Sequence, residues 1–225
     1  MRSGRGIGKI AGAPRGKLAR PRIRPVLPPA LLLHAYRQGF FPMADPDEGG
    51  RISWYAPDPR AVLPLDAFHV PHSLARTVRS GAFTVTTDRA FEAVIRACAA
   101  PAPGRTETWI SEEIVTAYLA LHRLGHAHSV ECWADGELAG GLYGVAVGGA
   151  FFGESMFSRR RDASKVALVA LVERLRRGHF VLLDVQFTTP HLARFGVVEV
   201  ARAAYEGWLA EAVAVPARWH DHGDP

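Results

Sequence analysis

From residue 28 onward, apolar and polar positions alternate between two periods. Pro28 and Pro29 open a short helix that Gly39 closes. Residues 40–60, FFPMADPDEGGRISWYAPDPR, combine aromatics, Pro and Gly without a sustained period and read as an aromatic-rich loop. The run FTVTT alternates as a strand. Asp88 then stands as the cap of a helix whose Phe91, Val94, Ile95 and Cys98 share one face. Ser111 caps another, with Ile114, Val115, Tyr118 and Leu121 inward and Gly125 closing it.

The period then changes to two. AHSVECW and LAGGLYGVAV flank the turn Ala134-Asp135-Gly136-Glu137, an Asp-Gly hairpin signal. Gly148-Gly149 begins a further strand that the pattern carries as far as Phe152. A helix follows over 164–177 and stops at Gly178. Then come the strand FVLLDVQF, a short helix from Thr189-Pro190, and a last strand VVEV. No internal repeat is visible. An antiparallel meander followed by helix, strand, helix and strand implies an α/β domain with a mixed, mostly antiparallel sheet.

Three positions break the apolar logic of these strands. In FVLLDVQF, Leu182, Asp184 and Gln186 fall on one face and Val181, Leu183 and Val185 on the other. An acid and an amide on one face of an apolar strand are costly to bury, which makes them candidate site residues; the alternative is a polar pair at the strand's solvated end. In FFGESMFSRRRDASK a lone acid, Glu154, interrupts an aromatic run. It is either a structural acid with its partners or a group that meets a ligand's cation.

Other constellations fail. Gly153-Glu154-Ser155-Met156-Phe157 lacks the closing glycine of a nucleophile elbow. His122, His126 and His128 straddle the helix end at Gly125, with no carboxylate or thiolate at a spacing that completes a metal site. Trp54, Tyr55 and Trp109 sit in loop-like settings, where aromatics can stack on bases as well as fill a core.

Composition narrows the class. At 225 residues with 48% hydrophobic residues, the chain can bury a sizeable core. Cys98 and Cys132 form no C-x-x-C pair, so neither a disulfide framework nor a zinc knuckle is indicated, and a reducing cytoplasm fits. The longest nearly apolar run, residues 139–152, is broken by five glycines and falls short of the roughly 18 residues of a spanning helix. No signal-peptide pattern opens the chain. The net charge of +5 is local: residues 1–30 hold eight basic groups and no acid, and beyond them acids outnumber bases. Gly and Pro in that segment argue for a disordered tail over 1–27, either an arm for a polyanion such as RNA or a solubilising extension. Gly4, Gly6 and Gly8 mimic a phosphate loop without the strand and helix it needs.

The segments YRQGFFPM, PDPRAV, TWIS, LHRLGHAHSVE, GGLYGV, FFGESMFS, DASKVAL and LLDVQF, in this order from about Leu31 to Tyr205, resemble the leucyl/phenylalanyl-tRNA-protein transferases. The resemblance implies a small N-terminal domain over 28–66 and a catalytic domain of GNAT-type acyltransferase fold over 67–225. It implies transfer of Leu or Phe, with Met as a further candidate, from aminoacyl-tRNA to proteins with N-terminal Arg or Lys, marking them for N-degron degradation. No metal, coenzyme A or other cofactor is implied. The family's site falls on Asp184, Gln186 and Glu154, the last toward the α-ammonium of the transferred residue. Its side-chain pocket falls on Leu142, Phe151, Met156, Leu168 and Leu171, and its contacts to the terminal adenosine on Trp109 and on Met43, where some members have tryptophan. Two rivals stand beside it. A coenzyme A acetyltransferase would need an R-x-x-G-x-G/A turn, whereas RRRDASK holds no glycine. A non-catalytic RNA-binding module would leave Asp184, Gln186 and Glu154 unexplained.

If the tail contacts RNA, each phosphate contact adds about 0.7 to 0.9 to the slope of log affinity against log salt. Deleting residues 1–24 should then lower that slope by about 2 and weaken tRNA binding at low salt, with the saturated rate nearly unchanged. An unchanged slope in a filter-binding salt titration would reduce the tail to an extension.

Overall fold

The computed structural model describes residues 27–102 and 107–220; the basic tail lies outside them. Helix α1 (Pro29–Arg37) has Pro in its first turn, and the chain turns away at Gly39, φ 79°. A side chain there would meet Tyr205 Cε1 at 2.9 Å. The stretch expected to be loop instead forms a hairpin, β1 (Phe41–Asp45) and β2 (Arg51–Tyr55), with Phe41 opposite Tyr55. Pro42 and the half-exposed face of β2 hide its alternation. What stabilises it is distant in sequence: Ala44 N donates to Trp109 O at 3.1 Å.

Strand β3 (Arg60–Val62), helix α2 (His72–Arg79), strand β4 (Thr84–Thr87) and helices α3 (Phe91–Ala99) and α4 (Glu112–Arg123) follow. Next come the meander β5 (Ala127–Ala134), β6 (Glu137–Val147), β7 (Ala150–Ser158), then α5 (Ala163–Arg177), β8 (Leu182–Gln186), a 3-10 turn (Leu192–Phe195), β9 (Val198–Val200) and α6 (Arg202–Ala214). Among the described residues, seven strands make one sheet in the order β4-β5-β6-β7-β8-β3-β9, and only β7 and β8 pair in parallel. The fold is therefore mixed α/β with a mostly antiparallel sheet. The division expected between residues 66 and 67 leaves β3, a strand of the large sheet, on its N-terminal side.

Each sheet face buries its own core. Tyr36, Phe91, Ile95, Ile114, Tyr118, Tyr143, Phe152 and Tyr205 fill the side covered by α1, α3, α4 and α6. Leu74, Phe151, Leu168, Leu171, Leu183 and Phe195 fill the side covered by α2 and α5. The expected Asp-Gly hairpin joins β5 to β6, with Asp135 and Gly136 at positive φ, and Ser111 caps α4 by accepting from Ile114 N. Asp88 does not cap α3. Its carboxylate accepts from Ser129 N at 2.8 Å and meets His128 Nδ1 at 2.8 Å, docking the turn onto β5. The donor beside the helix start, Ala90 N, goes instead to buried Glu131.

The strand expected to end at Phe152 runs on to Ser158 through a β-bulge. Gly144 pairs with Gly153 and Tyr143 with Ser155, so Glu154 has no residue opposite it. A bulge re-aims side chains and breaks the period of two, which is why the pattern stops short. Gly144 is required here, because a Cβ would collide with the Phe152 carbonyl oxygen and the Phe151 ring. Gly144→Ala should therefore destabilise the fold by about 1–3 kcal/mol, read as a lowered denaturant midpoint; an unshifted midpoint would show that the bulge yields freely.

Candidate active site

The parallel pairing of β7 with β8 stops at Phe152 and Asp184. Beyond that point β7 stays with β6, while β8 continues beside β3 through Gln186 opposite Ala61. The gap between the parting strands is a cavity of about 430 Å³. Leu142, Met156, Leu168, Leu171 and Leu183 form its apolar wall, and Glu154 and Gln186 line it as well. Four of the five residues expected to form a side-chain pocket thus meet here. Phe151 does not. It is fully buried behind the wall, edge-on to Phe180 at 6.3 Å and stacked on Trp219 at 5.5 Å.

Glu154 is both partnered and exposed to the cavity. Tyr36 Oη donates to its Oε1 at 2.7 Å and Tyr118 Oη to its Oε2 at 3.2 Å, and the two tyrosine oxygens also touch, so that two phenol protons are shared among three contacts. Burial pushes its carboxyl up to about 7 and Asp184 adds to the rise, against the tyrosine hydrogen bonds and Arg60, which pull it down. The acid is thus poised near neutrality. A cation arriving from the cavity would favour the ionised form.

Asp184 and Gln186 are not a solvated strand end: 0% and 6% of their surfaces are exposed. Arg60, buried to 1%, grips the Asp184 carboxylate with Nε at 3.0 and 3.1 Å and Nη2 at 2.7 Å, and its Nη1 reaches Gly39 O at 3.0 Å. Tyr205 Oη donates to Asp184 Oδ2 at 2.5 Å, and Gln186 N to Oδ1 at 2.9 Å. The guanidinium lies 4.9 Å from the Phe41 ring centroid and 4.7 Å from that of Tyr205. Burial works against its charge, but the hydrogen bonds and charge of Asp184 prevail and raise it above its ordinary value. Gln186 is held at φ 59°, and its side-chain Nε2 has no partner. Asp184 reaches Gln186 through the backbone, which leaves the amide group facing other tasks.

Trp109 and Met43 pack partly buried against the core under α1 and α4, on neighbouring segments joined by the Ala44–Trp109 hydrogen bond. Neither borders the cavity. His122 stacks on Phe91 at 4.3 Å and His128 on Trp219 at 4.3 Å. Among the described residues, no group of three His, Cys, Asp or Glu residues is placed to hold a metal, and no helix is long and apolar enough to cross a membrane. Sequence reasoning missed Arg60, Tyr36, Tyr118 and Tyr205. One signal was available: an acid inside an apolar strand demands a buried cation, and the arginine of PDPRAV opens an apolar run of its own.

An apolar recess with a carboxylate at its edge, beside an amide whose nitrogen has no partner, is the candidate site of this mixed α/β protein. The chain belongs to the leucyl/phenylalanyl-tRNA protein transferase family: the family model matches residues 62–210, and that of the family's N-terminal domain matches 26–58. It is similar to the leucyl/phenylalanyl-tRNA–protein transferases of Paramagnetospirillum magneticum (59% identical, covering 85% of this chain and 91% of that one) and Rubrobacter xylanophilus (62%, covering 83% and 95%). A solved structure of L-PGS from Bacillus licheniformis aligns at TM-score 0.41 and 11% identity, covering 72% of this chain and 66% of that one. Membership makes the protein an aminoacyltransferase that passes Leu or Phe from tRNA to protein.

Because Glu154 is an acid whose folded value lies above its ordinary 4.5, the folded state holds a proton that the unfolded chain has lost between about 4.5 and 7. Its contribution to stability is full below about 4.5 and declines as pH rises through 7. Glu154→Gln should flatten that decline in a series of denaturant midpoints. An identical pH profile in both proteins would place the titration elsewhere.

Proposed function

We propose that the cavity receives the aminoacyl end of Leu-tRNA or Phe-tRNA, with Met-tRNA as a further candidate, and that the acyl group passes to the α-amine of cytoplasmic proteins beginning with Arg or Lys, marking them for N-degron degradation. The observation that carries this reading is the junction of the leucine- and methionine-lined wall with Glu154 in one cavity. Leu142, Met156, Leu168 and Leu171 take the apolar side chain, and Glu154 takes the ammonium at its root. Trp109 and Met43, on the adjoining N-terminal face, are the proposed rest for the terminal adenosine. Residues 28–66 act as the small domain that completes this face, and 67–225 as the catalytic domain. The parallel strands β7 and β8, parting around a cavity and joined through α5, support a GNAT-type arrangement.

An aminoacyl ester is already activated, so the protein needs no cofactor. Its work is to align a neutral amine with the ester carbonyl and to stabilise the charge that develops on the carbonyl oxygen. Asp184 spends its oxygens on Arg60, Tyr205 and the Gln186 backbone. In this reading it acts through Gln186, whose amide meets the reacting groups as acceptor for the incoming amine or donor to the oxygen.

The test is label transfer from charged Leu-tRNA to a peptide beginning with Arg, run beside an acetyl-CoA arm that separates the acetyltransferase alternative. Asp184→Asn should lower peptide transfer by about one to three orders of magnitude. It also strips a buried guanidinium of its counter-charge, at a cost of about 3–5 kcal/mol, so folding is checked alongside. Tyr205→Phe, which spares the ion pair, should show a milder loss. Near-normal turnover in folded Asp184→Asn would remove the residue from the mechanism. Glu154→Gln should shrink discrimination between aminoacyl-tRNA and a desamino analogue by roughly 1–3 kcal/mol; undiminished discrimination would move the ammonium elsewhere.

A further inference from the structure

The segment that follows α6 returns across the molecule to the back of the cavity. From Val215 it runs past the end of α5, where Arg218 N donates to Gly178 O at 2.9 Å. Gly178 closes α5 at φ −81°, a conformation open to any residue. A Cβ there would lie 2.2 Å from Arg218 O, so what requires glycine is the close passage of this segment.

One residue further on, the Trp219 ring stacks on His128 at 4.3 Å and on Phe151 at 5.5 Å, with the Arg174 guanidinium 5.1 Å from its centroid. The strand register places this stack one row behind the cavity wall. On β6, Leu142 pairs with Val130 and Met156, and Gly144, the next residue on that face, pairs with His128. Leu142 and Met156 border the cavity and Gly144 does not. The space over Gly144 is taken by Phe151, whose Cε1 and Cζ would lie 2.4 and 2.7 Å from a Cβ at that position. His128 is itself held by Asp88 at 2.8 Å. The indole N–H of Trp219 is buried and has no partner among the described residues, a cost that a buried tryptophan seldom carries. Shape and stacking are therefore what the ring contributes.

We propose that Trp219 is a positioning residue for selection of the acyl group: it braces Phe151, which backs the pocket wall, and so sets how deep a side chain can enter. This rests on the reading that Leu142, Met156, Leu168 and Leu171 receive the acyl side chain. Phe151 belongs to the same buried cluster as those leucines. Gly144 presents no side chain to hold the ring, so its position depends on the edge of Phe180 at 6.3 Å and the face of Trp219 at 5.5 Å. Close packing passes a displacement at the back of such a wall to its front, and a void left by a missing ring is partly filled by its neighbours. With the indole in place the pocket takes Leu or Phe. Without it Phe151 retreats, and a fused ring system gains entry.

Calorimetric titration would use glycyl, leucyl, phenylalanyl and naphthylalanyl adenosine, each joined through a hydrolysis-resistant 3′-amide. Trp219→Leu should raise the affinity for the naphthylalanyl analogue relative to the leucyl one by about tenfold, and Trp219→Phe, which keeps a stacking ring, by much less. Phe151→Leu should reproduce the change. The double variant should go no further than the larger single effect, because both substitutions open one space. Should Trp219→Leu fail to fold, Phe151→Leu and the sign of the smaller Trp219→Phe shift decide. An unchanged ratio in folded Trp219→Leu would overturn the proposal, and so would affinities for all analogues that fall together, the mark of a ring that only supports the fold. The glycyl arm separates the two levels. If the unaltered protein binds glycyl and leucyl analogues equally, the side-chain pocket fails and the brace with it; if it prefers leucyl while the variants keep its ratio, the brace alone is removed.

Discussion

The buried pair of Arg60 and Asp184 fixes the geometry on which the site depends. It joins two strands 124 residues apart in sequence and reaches beyond them, since the guanidinium also binds the carbonyl of Gly39 and lies between the rings of Phe41 and Tyr205. One cation thus links the segment after α1, the hairpin, β3, β8 and α6. Removing two charges from water is expensive, and such pairs are weak contributors to net stability. What the pair supplies here is position: the end of β8 is bound at the point where β7 has left it.

That position has a chemical use. With Asp184 saturated, its oxygens hold the backbone of Gln186 in a left-handed conformation that a glutamine does not adopt readily. Backbone strain at a site wall is tolerated where the surroundings over-determine it, and five hydrogen bonds to one carboxylate do so. Glu154 is the opposite case. Two phenols hold it, its far side faces the cavity, and its charge is balanced near neutral pH. One acid is locked for structure and the other is left responsive, although both entered the sequence as single carboxylates within apolar runs.

Elements set by neighbours in sequence were legible there. The Ser111 cap, the Asp-Gly turn, the stop at Gly178 and the period of β8 all depend on residues within a few positions, and Asp184, Gln186 and Glu154 stand out because they violate such local patterns. Features set by distant partners were not. The β1–β2 hairpin relies on the carbonyl of Trp109, Asp88 finds Ser129 rather than the start of α3, and Arg60 has nothing nearby to explain it. Phe151 carries the chemistry of a pocket wall and shares its face of the sheet, but it is still paired with Leu183 before the strands part, and it packs against Phe180 and Trp219 while Met156 borders the cavity.

The bulge at Glu154 has a bearing on how such a site can be inherited. Upstream of it Phe151 faces the α5 side of the sheet and Phe152 the other; downstream Met156 faces α5 and Phe157 the other, a phase that regular alternation would reverse. Deleting Glu154 would restore regular pairing to β6 and β7 and leave Met156 on the α5 side and Phe157 on the other, because Met156 would then stand four places after Phe151. A regular strand can therefore carry the wall without the acid, and the extra residue adds the carboxylate to it. Carboxylate and pocket are thus separable in descent, the acid by a change of one residue in length and the wall by substitution.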